Sequence, residues 1–585
     1  MRLIFRYLNR YRLSVIWVVA VKFVGTMTEL MLPYILEHLI DEVVPLGHLF
    51  PVFAWGGLMA AAAAVTCVLN VVANRRAVVN AHNMAYDVRQ ELFTKTVNLS
   101  GAQFDAIGLP SLTSRMTSDS YNVQNCVRSM QTLCIRAPIL LLGGVIVALA
   151  MDWRLALILL FMLPVLVAVC IGISRYGIPL FHRVQERLDD VMRIMRENIT
   201  GIRVVKALTK EAYERRRFAA ANDAMMDSDV RAGTAMAIPG PTMQLLLNTG
   251  LTLVVIIGAY RVNGGGIKSG VILAFLTYFN MILMGVMGVN RIFVMLSKAS
   301  ASADRIDEVL SMPDGQRVLA PQETATPAGD EFIRFEHVSF HYGGTASDVR
   351  EHFAGSEREK SLDDISFAVK RGESLGIIGS TGCGKTTILN LLMRFYDPQD
   401  GAVYVDGRDV RTYDKDELHR KFGVAFQSDM VFNDTLRRNI DFGRGLDAQD
   451  VRNAVEDAMA AEFIDALPDG LEHMADIKGA NLSGGQKQRL LIARALAGNP
   501  EILIRDDSSS ALDYKTDAAV RRAIAARHKD ATVIMVAQRI SSVQGMTRIL
   551  VLDDGRLIGY GSHAELMESC PTYHAIYEAQ MGALA

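Results

Sequence analysis

At 585 residues, half of them apolar and 21% charged, the chain is too long for one core and suggests about three to four domain-equivalents of roughly 150 residues each. A net charge of −2 argues against a dedicated nucleic-acid binder, which would carry a basic excess. The six cysteines, at positions 67, 126, 134, 170, 383 and 570, form no CxxC pair and no metal-ligand spacing, so they read as buried or free thiols and not as a zinc site.

Charge is unevenly distributed along the chain. Arg2, Arg6, Arg10 and Arg12 precede an apolar stretch, residues 13–33, interrupted by Lys22 and Glu29. No small-residue cleavage site follows, so the arginines read as a cytoplasmic lead-in and not as the start of a cleavable signal peptide. Residues 51–74 then run 24 positions without a charge, 155–174 run 20, 232–260 run 29 and 269–290 run 22. Each is long enough to cross about 30 Å of hydrocarbon as a helix rising about 1.5 Å per residue. Residues 137–151 reach that length only with their flanks, and with residues 13–33 they bring the count to six spans. An N-terminus kept inside by its basic residues and an even number of spans place both termini in the cytoplasm.

The spacing of the spans predicts tight outer turns after the first, third and fifth. After the second and fourth come 62 and 57 largely polar, helix-favouring residues, 75–136 and 175–231. In the latter, apolar positions recur three or four apart among charges (Val184, Leu188, Val191, Met195, Ile199), the pattern of helices standing in the cytoplasm. Residues 1–298 therefore read as a membrane domain. Residues 299–330, with Pro313, Pro321 and Pro327, read as a surface linker.

From residue 331 to 585 the grammar changes. Short β-branched runs (332–340, 374–378, 423–427, 502–505, 532–536 and 549–552) alternate with helical stretches, predicting an α/β domain with substantially parallel strands. The first of its motifs is Gly379-Ser380-Thr381-Gly382-Cys383-Gly384-Lys385-Thr386, followed by Thr387 at the head of an apolar helix. This GxxxxGK[ST] loop sits between a strand and a helix. Its glycines let backbone N–H groups converge on phosphate oxygens, Lys385 reaches the outer phosphates, and Thr386 can ligate Mg2+. Cys383 matters there for its backbone. Residues 501–505 form a second strand delivering Asp506 and Asp507 to the sheet edge; alone the pair could cap a helix or turn, but beside a P-loop Asp506 reads as a Mg2+ ligand.

Between these motifs lies Leu482-Ser483-Gly484-Gly485-Gln486 with Lys487-Gln488-Arg489 behind it, a polar, glycine-rich helix start suited to an anion. This LSGGQ, the P-loop about a hundred residues upstream and the Asp twenty downstream resemble the ABC ATPases. With six spans and long intracellular helices ahead, the whole chain resembles a multidrug-type ABC exporter half-transporter. The resemblance implies an all-α membrane domain followed by an α/β P-loop ATPase domain, ATP with Mg2+ as the working nucleotide, and a plasma or bacterial inner membrane location. It assigns Tyr342 to adenine stacking, Gln427 to Mg2+ and to sensing the membrane domain, and Ser510-Ala511-Leu512-Asp513 to the dimer interface. It further implies that each ATP is held between one half's P-loop and the other half's Ser483-to-Gln486 counterpart, and that turns near residues 105–114 and 206–213 contact the nucleotide domains.

Three departures stand out. The family's general base is Glu where this chain has Asp507, one methylene shorter, and a base must come within about 2.6–3.2 Å of its proton. The family's His is here Gln538, an amide that cannot become a cation. A polar insert, residues 343–360, separates Tyr342 from the P-loop. Asp507 and Gln538 beside an unaltered LSGGQ resemble the degenerate half of a heterodimeric exporter whose partner chain carries Glu and His. A homodimer with slow turnover, and a nucleotide-gated channel or regulatory subunit, are the alternatives. The substrate is expected to be a small amphipathic or hydrophobic molecule (drug, lipid or peptide). Met281, Met284, Met287 and Met295 read as helix packing, and Lys22 and Glu29 as the better functional candidates, since charges inside a span face a cavity or a partner.

Overall fold

The structure is a computed structural model. It describes residues 1–320, 331–343, 360–426, 430–506 and 512–581, which divide into two compact units. Gln427, Asp507, Ser510, Ala511 and the interior of the 343–360 insert lie outside the described residues.

The first unit, residues 1–96 and 110–312, is helical throughout. Among the described residues, five helical stretches are long and apolar enough to cross a membrane: Arg2–Leu46, Leu49–Val97, Leu133–Met151, Glu211–Asn263 and Ser269–Leu310. A sixth apolar stretch, Trp153–Val169, opens the 48-residue helix Trp153–Thr200. Three charged groups inside these helices are paired, as charges must be where water is absent. Lys22, only 4% exposed, donates to Asn70 Oδ1 at 2.6 Å and Asn74 Oδ1 at 3.1 Å. Glu29 takes a two-pronged bond from Arg136 at 2.7 and 3.2 Å. Asp41, also buried, accepts from the backbone N–H of Gly270 at 2.6 Å and of Val271 at 3.2 Å, satisfying the first turn of the helix Ser269–Leu310.

That last helix runs to Leu310, so residues 299–310, expected as linker, are helical. Ala299, Ala303 and Ile306 recur three or four apart and are fully buried against Leu3, Ile4, Met84, Val88 and Val127. The apolar stripe continues past the end of the hydrophobic span, and burial of that stripe keeps the helix going.

The second unit comprises residues 97–109 and 313–585. Its strands are β1 (Ile333–Phe340), β2 (Leu362–Val369), β3 (Ser374–Gly379), β4 (Asp400–Val405), β5 (Arg408–Asp409), β6 (Phe422–Ala425), β7 (Ile502–Asp506), β8 (Thr532–Val536), β9 (Arg548–Asp553) and β10 (Arg556–Gly561). They make two sheets. One is antiparallel, in the order β2-β1-β4-β5; the other, β10-β9-β3-β8-β7-β6, is parallel except for the β9–β10 hairpin. The strand runs read from the sequence include β1 and the parallel strands but not β2, β4, β5 or β10, although two hairpins among these carry a readable signal. Asp406-Gly407 and Asp554-Gly555 join β4 to β5 and β9 to β10 with both residues at positive φ (53° and 71°, 44° and 75°), the twist-matched two-residue turn that Asp-Gly favours.

Residues 97–109 pack within this second unit. Ser100 and Gln103 form a reciprocal cap on the short helix Gly101–Ile107, whose Gly101 N–H donates to the Phe395 carbonyl at 3.3 Å. The Tyr396 hydroxyl donates to Asp105, and burial together with this carboxylate raises its pKa. A Cβ at position 101 would lie 2.8 Å from the Phe395 oxygen and 2.9 Å from the Tyr396 ring. Gly101→Val is therefore expected to release this segment. Amide exchange at residues 101–107 should speed up about tenfold, from a lost docking energy of order 1.4 kcal/mol, while Gly233→Val, where no atom lies within 4 Å, leaves it unchanged.

Candidate nucleotide site

The parallel sheet decides where the motif residues meet. β3, β8 and β7 are neighbours, with Ile377 level with Val536 and Val536 level with Asp506. The P-loop follows β3, Gln538 follows β8 and Asp506 ends β7, so all three emerge at one carboxyl edge, where α/β sheets bind ligands. β6, on the far side of β7, ends two residues before Gln427.

The loop itself is built by conformation and close approach. Gly382 and Gly384 have φ of 88° and 100°, a region that costs residues with a Cβ, and a Cβ on Gly384 would lie 2.6 Å from both Leu362 and the Ser361 carbonyl. Lys385 turns its ammonium back over the loop and donates to the Gly379 and Ser380 carbonyls at 2.9 and 2.7 Å. The helix Lys385–Leu392 starts there, anchored through Ile388, Leu389, Leu391 and Leu392 in the core. Its first N–H groups face the loop, so the helix dipole and the lysine add at one point. Cys383 does more than supply backbone: its side chain is buried in that core.

Thr386 Oγ1 stands 3.4 Å from Asp506 Oδ2, a hydroxyl and a carboxylate beside the phosphate loop. Two oxygen donors with room for substrate phosphates suit Mg2+, which keeps water and phosphate ligands instead of a full protein cage. Such an ion would neutralise charge developing on the transferred phosphoryl group. Tyr342 is held edge-on by Phe340 and Tyr396, ring centres 4.9 and 5.2 Å away, and its hydroxyl accepts from Asn390 Nδ2 at 3.0 Å. That fixes the ring while leaving it 36% exposed, fit for stacking.

Ser483 caps the helix Gly484–Leu496: its Oγ accepts from Gln486 N–H at 3.3 Å and its N–H donates to Gln486 Oε1 at 2.8 Å. Ser483 and Gly484 are exposed. Asn481 accepts from Asp476 N–H at 2.9 Å and donates to the Met474 carbonyl at 2.9 Å, so this motif is braced by its own loop. Sequence reasoning missed one residue, Arg505, which it folded into an apolar run. Arg505 is 1% exposed and donates to Asp517 Oδ1 at 2.9 Å; burial lowers its pKa. A lone cation inside a β-branched strand was the available signal.

Comparison with known proteins agrees with this layout. The family model of the ABC transporter transmembrane region matches residues 15–287, and that of the ABC transporter domain matches residues 362–510. An uncharacterized ABC transporter ATP-binding protein of Mycobacterium tuberculosis is 33% identical over 572 residues, covering 97% of this chain and 96% of that protein. This chain belongs to the ABC transporter family. YfiB of Bacillus subtilis, an uncharacterized ABC transporter ATP-binding protein, is 33% identical over 555 residues, covering 95% and 94% of the two chains. The fold matches a bacterial Atm1-family ABC exporter structure with ATP bound, with a TM-score of 0.79, 23% identity and 98% coverage of both chains. The protein is an integral membrane protein with an ATP-binding ABC ATPase domain.

Removing the Lys385 ammonium deletes a charge-assisted contact worth about 1.5–3 kcal/mol, roughly ten- to hundredfold in affinity. Lys385→Ala is expected to weaken binding of a fluorescent ATP analogue by that factor, with the melting temperature and membrane insertion unchanged.

Proposed function

We propose that this chain is one half of an ATP-driven exporter of small amphipathic molecules, that it pairs with a different half-transporter, and that its own hydrolytic site is impaired. The observation that carries the reading is Gln538. It follows β8, between the strands that end in the P-loop and in Asp506, and from there it would face the phosphates, where the family uses His. A carboxamide neither carries the imidazolium charge nor shuttles a proton. Asp507, next to Asp506, has a carboxylate one methylene short of the usual base.

The other half of the reading concerns what this chain gives its partner. The capped, exposed start of the helix Gly484–Leu496 is braced by its own loop, and the exposed Ser483 and Gly484 would meet a phosphate held by another chain. ATP bound between the two halves would close the cytoplasmic domains, and the long helices running out of the membrane unit would carry that closure into the spans. Residues 97–109 pack within the ATPase unit, and Val204, Leu208 and Tyr213 of the first unit are exposed; by the family resemblance, segments such as these would receive that closure. Tyr342, Gly379 to Thr387, Asp506 and Gln427 would hold ATP and Mg2+. The ATPase unit and both termini would lie in the cytoplasm.

ATPase measurements on the purified single chain test this. Turnover should be slow alone, and Asp507→Glu combined with Gln538→His should raise it about 10²-fold, the lower end of what a positioned acid–base group contributes. Fast turnover by the single chain that Asp507→Asn abolishes would sink the heterodimer reading in favour of a homodimer.

A further inference from the structure

The segment that carries Gln538 is held by hydrogen bonds from two directions, and neither belongs to the nucleotide site. On one side stands the C-terminal helix Pro571–Met581. Its Gln580 uses both ends of its carboxamide: Nε2 donates to the Gln538 carbonyl at 2.9 Å and Oε1 accepts from the Ile540 N–H at 2.8 Å. A single planar group thus spans the two peptide units that flank Arg539 and limits how the backbone can rotate under the Gln538 side chain.

On the other side is a chain of charges. Arg505, in β7 one residue before Asp506, bonds Asp517 Oδ1 at 2.9 Å; Asp517 Oδ2 lies 3.0 Å from Arg521 Nε; and Arg521 Nη1 donates to the Ser541 carbonyl at 3.2 Å. Asp517 and Arg521 lie on one face of the helix Tyr514–Arg527, four residues apart. The chain therefore runs from the strand bearing Asp506, through the helix that follows it, to the residues just beyond Gln538. Apolar packing fixes only part of this segment. Ile540 and Val543 are fully buried, which sets the depth of the single-turn helix Ile540–Val543. Beside Arg505, Arg521 and Ser542 lies a cavity of about 540 Å³, so packing leaves that flank free and hydrogen bonds must set its rotation.

We propose that Gln580 and the Arg505–Asp517–Arg521 ion chain are positioning residues for ATP hydrolysis, fixing the Gln538–Ser541 backbone relative to Asp506 so that movement of one catalytic strand is felt by the other. This holds whether or not this chain's own site turns over quickly, because it concerns the placement of Gln538 and not its chemistry. Buried charge pairs of this kind contribute little to stability compared with a well-packed apolar pair, but removing one partner leaves the other exposed to an unfavourable environment. Arg521, 26% exposed, is the link that can be cut without stranding a fully buried charge.

Hydrogen exchange on the full-length chain in nanodiscs, with and without ATP, tests the proposal. Arg521→Met and Gln580→Leu are each expected to speed exchange at residues 538–544 about fivefold, while exchange at residues 379–387, affinity for a fluorescent ATP analogue and the melting temperature stay as in the unaltered chain. Gln580→Glu, which can still accept from Ile540 but cannot donate to Gln538, should fall between; Arg521→Lys should restore most of the protection. Unchanged exchange at residues 538–544 in both variants would overturn the proposal. So would a rise shared equally by the P-loop and accompanied by a lower melting temperature, since that is general destabilisation.

Discussion

The parallel pairing of β3 with β8 and of β8 with β7 is the constraint on which the ATPase unit depends. Ladder hydrogen bonds hold Ile377, Val536 and Asp506 level, and a shift of one residue would turn every buried side chain of a strand to the opposite face. Because the strands run the same way, each delivers its following segment to the same edge. A phosphate loop, the carboxylate of Asp506 and Gln538, up to 159 residues apart from Gly379 to Gln538, are brought to one edge without any contact specific to nucleotide.

Around that edge the chain combines rigid and replaceable parts. The P-loop is rigid because glycine conformation and close approach to Ser361 and Leu362 leave no alternative at Gly384. The helix behind it is fixed by buried aliphatic residues. Chemistry, by contrast, rides on side chains that packing does not demand. Gln538 is exposed, so an amide can replace an imidazole there at no cost to the fold.

The membrane unit shows the same economy in a solvent that tolerates no loose polar group. Lys22 is answered by two asparagines, Glu29 by Arg136, and Asp41 by the backbone of a helix start. These pairings explain why charged residues persist in apolar helices: each satisfies a group on another helix, and two of them join segments more than a hundred residues apart.

Much of this was legible in the residue order. Periods without charge marked the membrane helices, and GxxxxGK[ST] between a strand and a helix marked the phosphate loop, because both signals are local. The Asp-Gly hairpins at 406–407 and 554–555 were equally local, and were readable although passed over. Only the tertiary structure could decide which strands are neighbours, that residues 299–310 stay helical by burying Ala303 and Ile306, and that residues 97–109 pack within the ATPase unit. The same holds for Arg505 meeting Asp517 and for Gln580 bridging Gln538 and Ile540. The sequence by itself determined the membrane class, the order of the two units and the phosphate chemistry, since these follow from hydropathy and from backbone conformation within a few residues. Strand order and long-range side-chain partners depend on how separate segments bury one another, and no short stretch of residues encodes that.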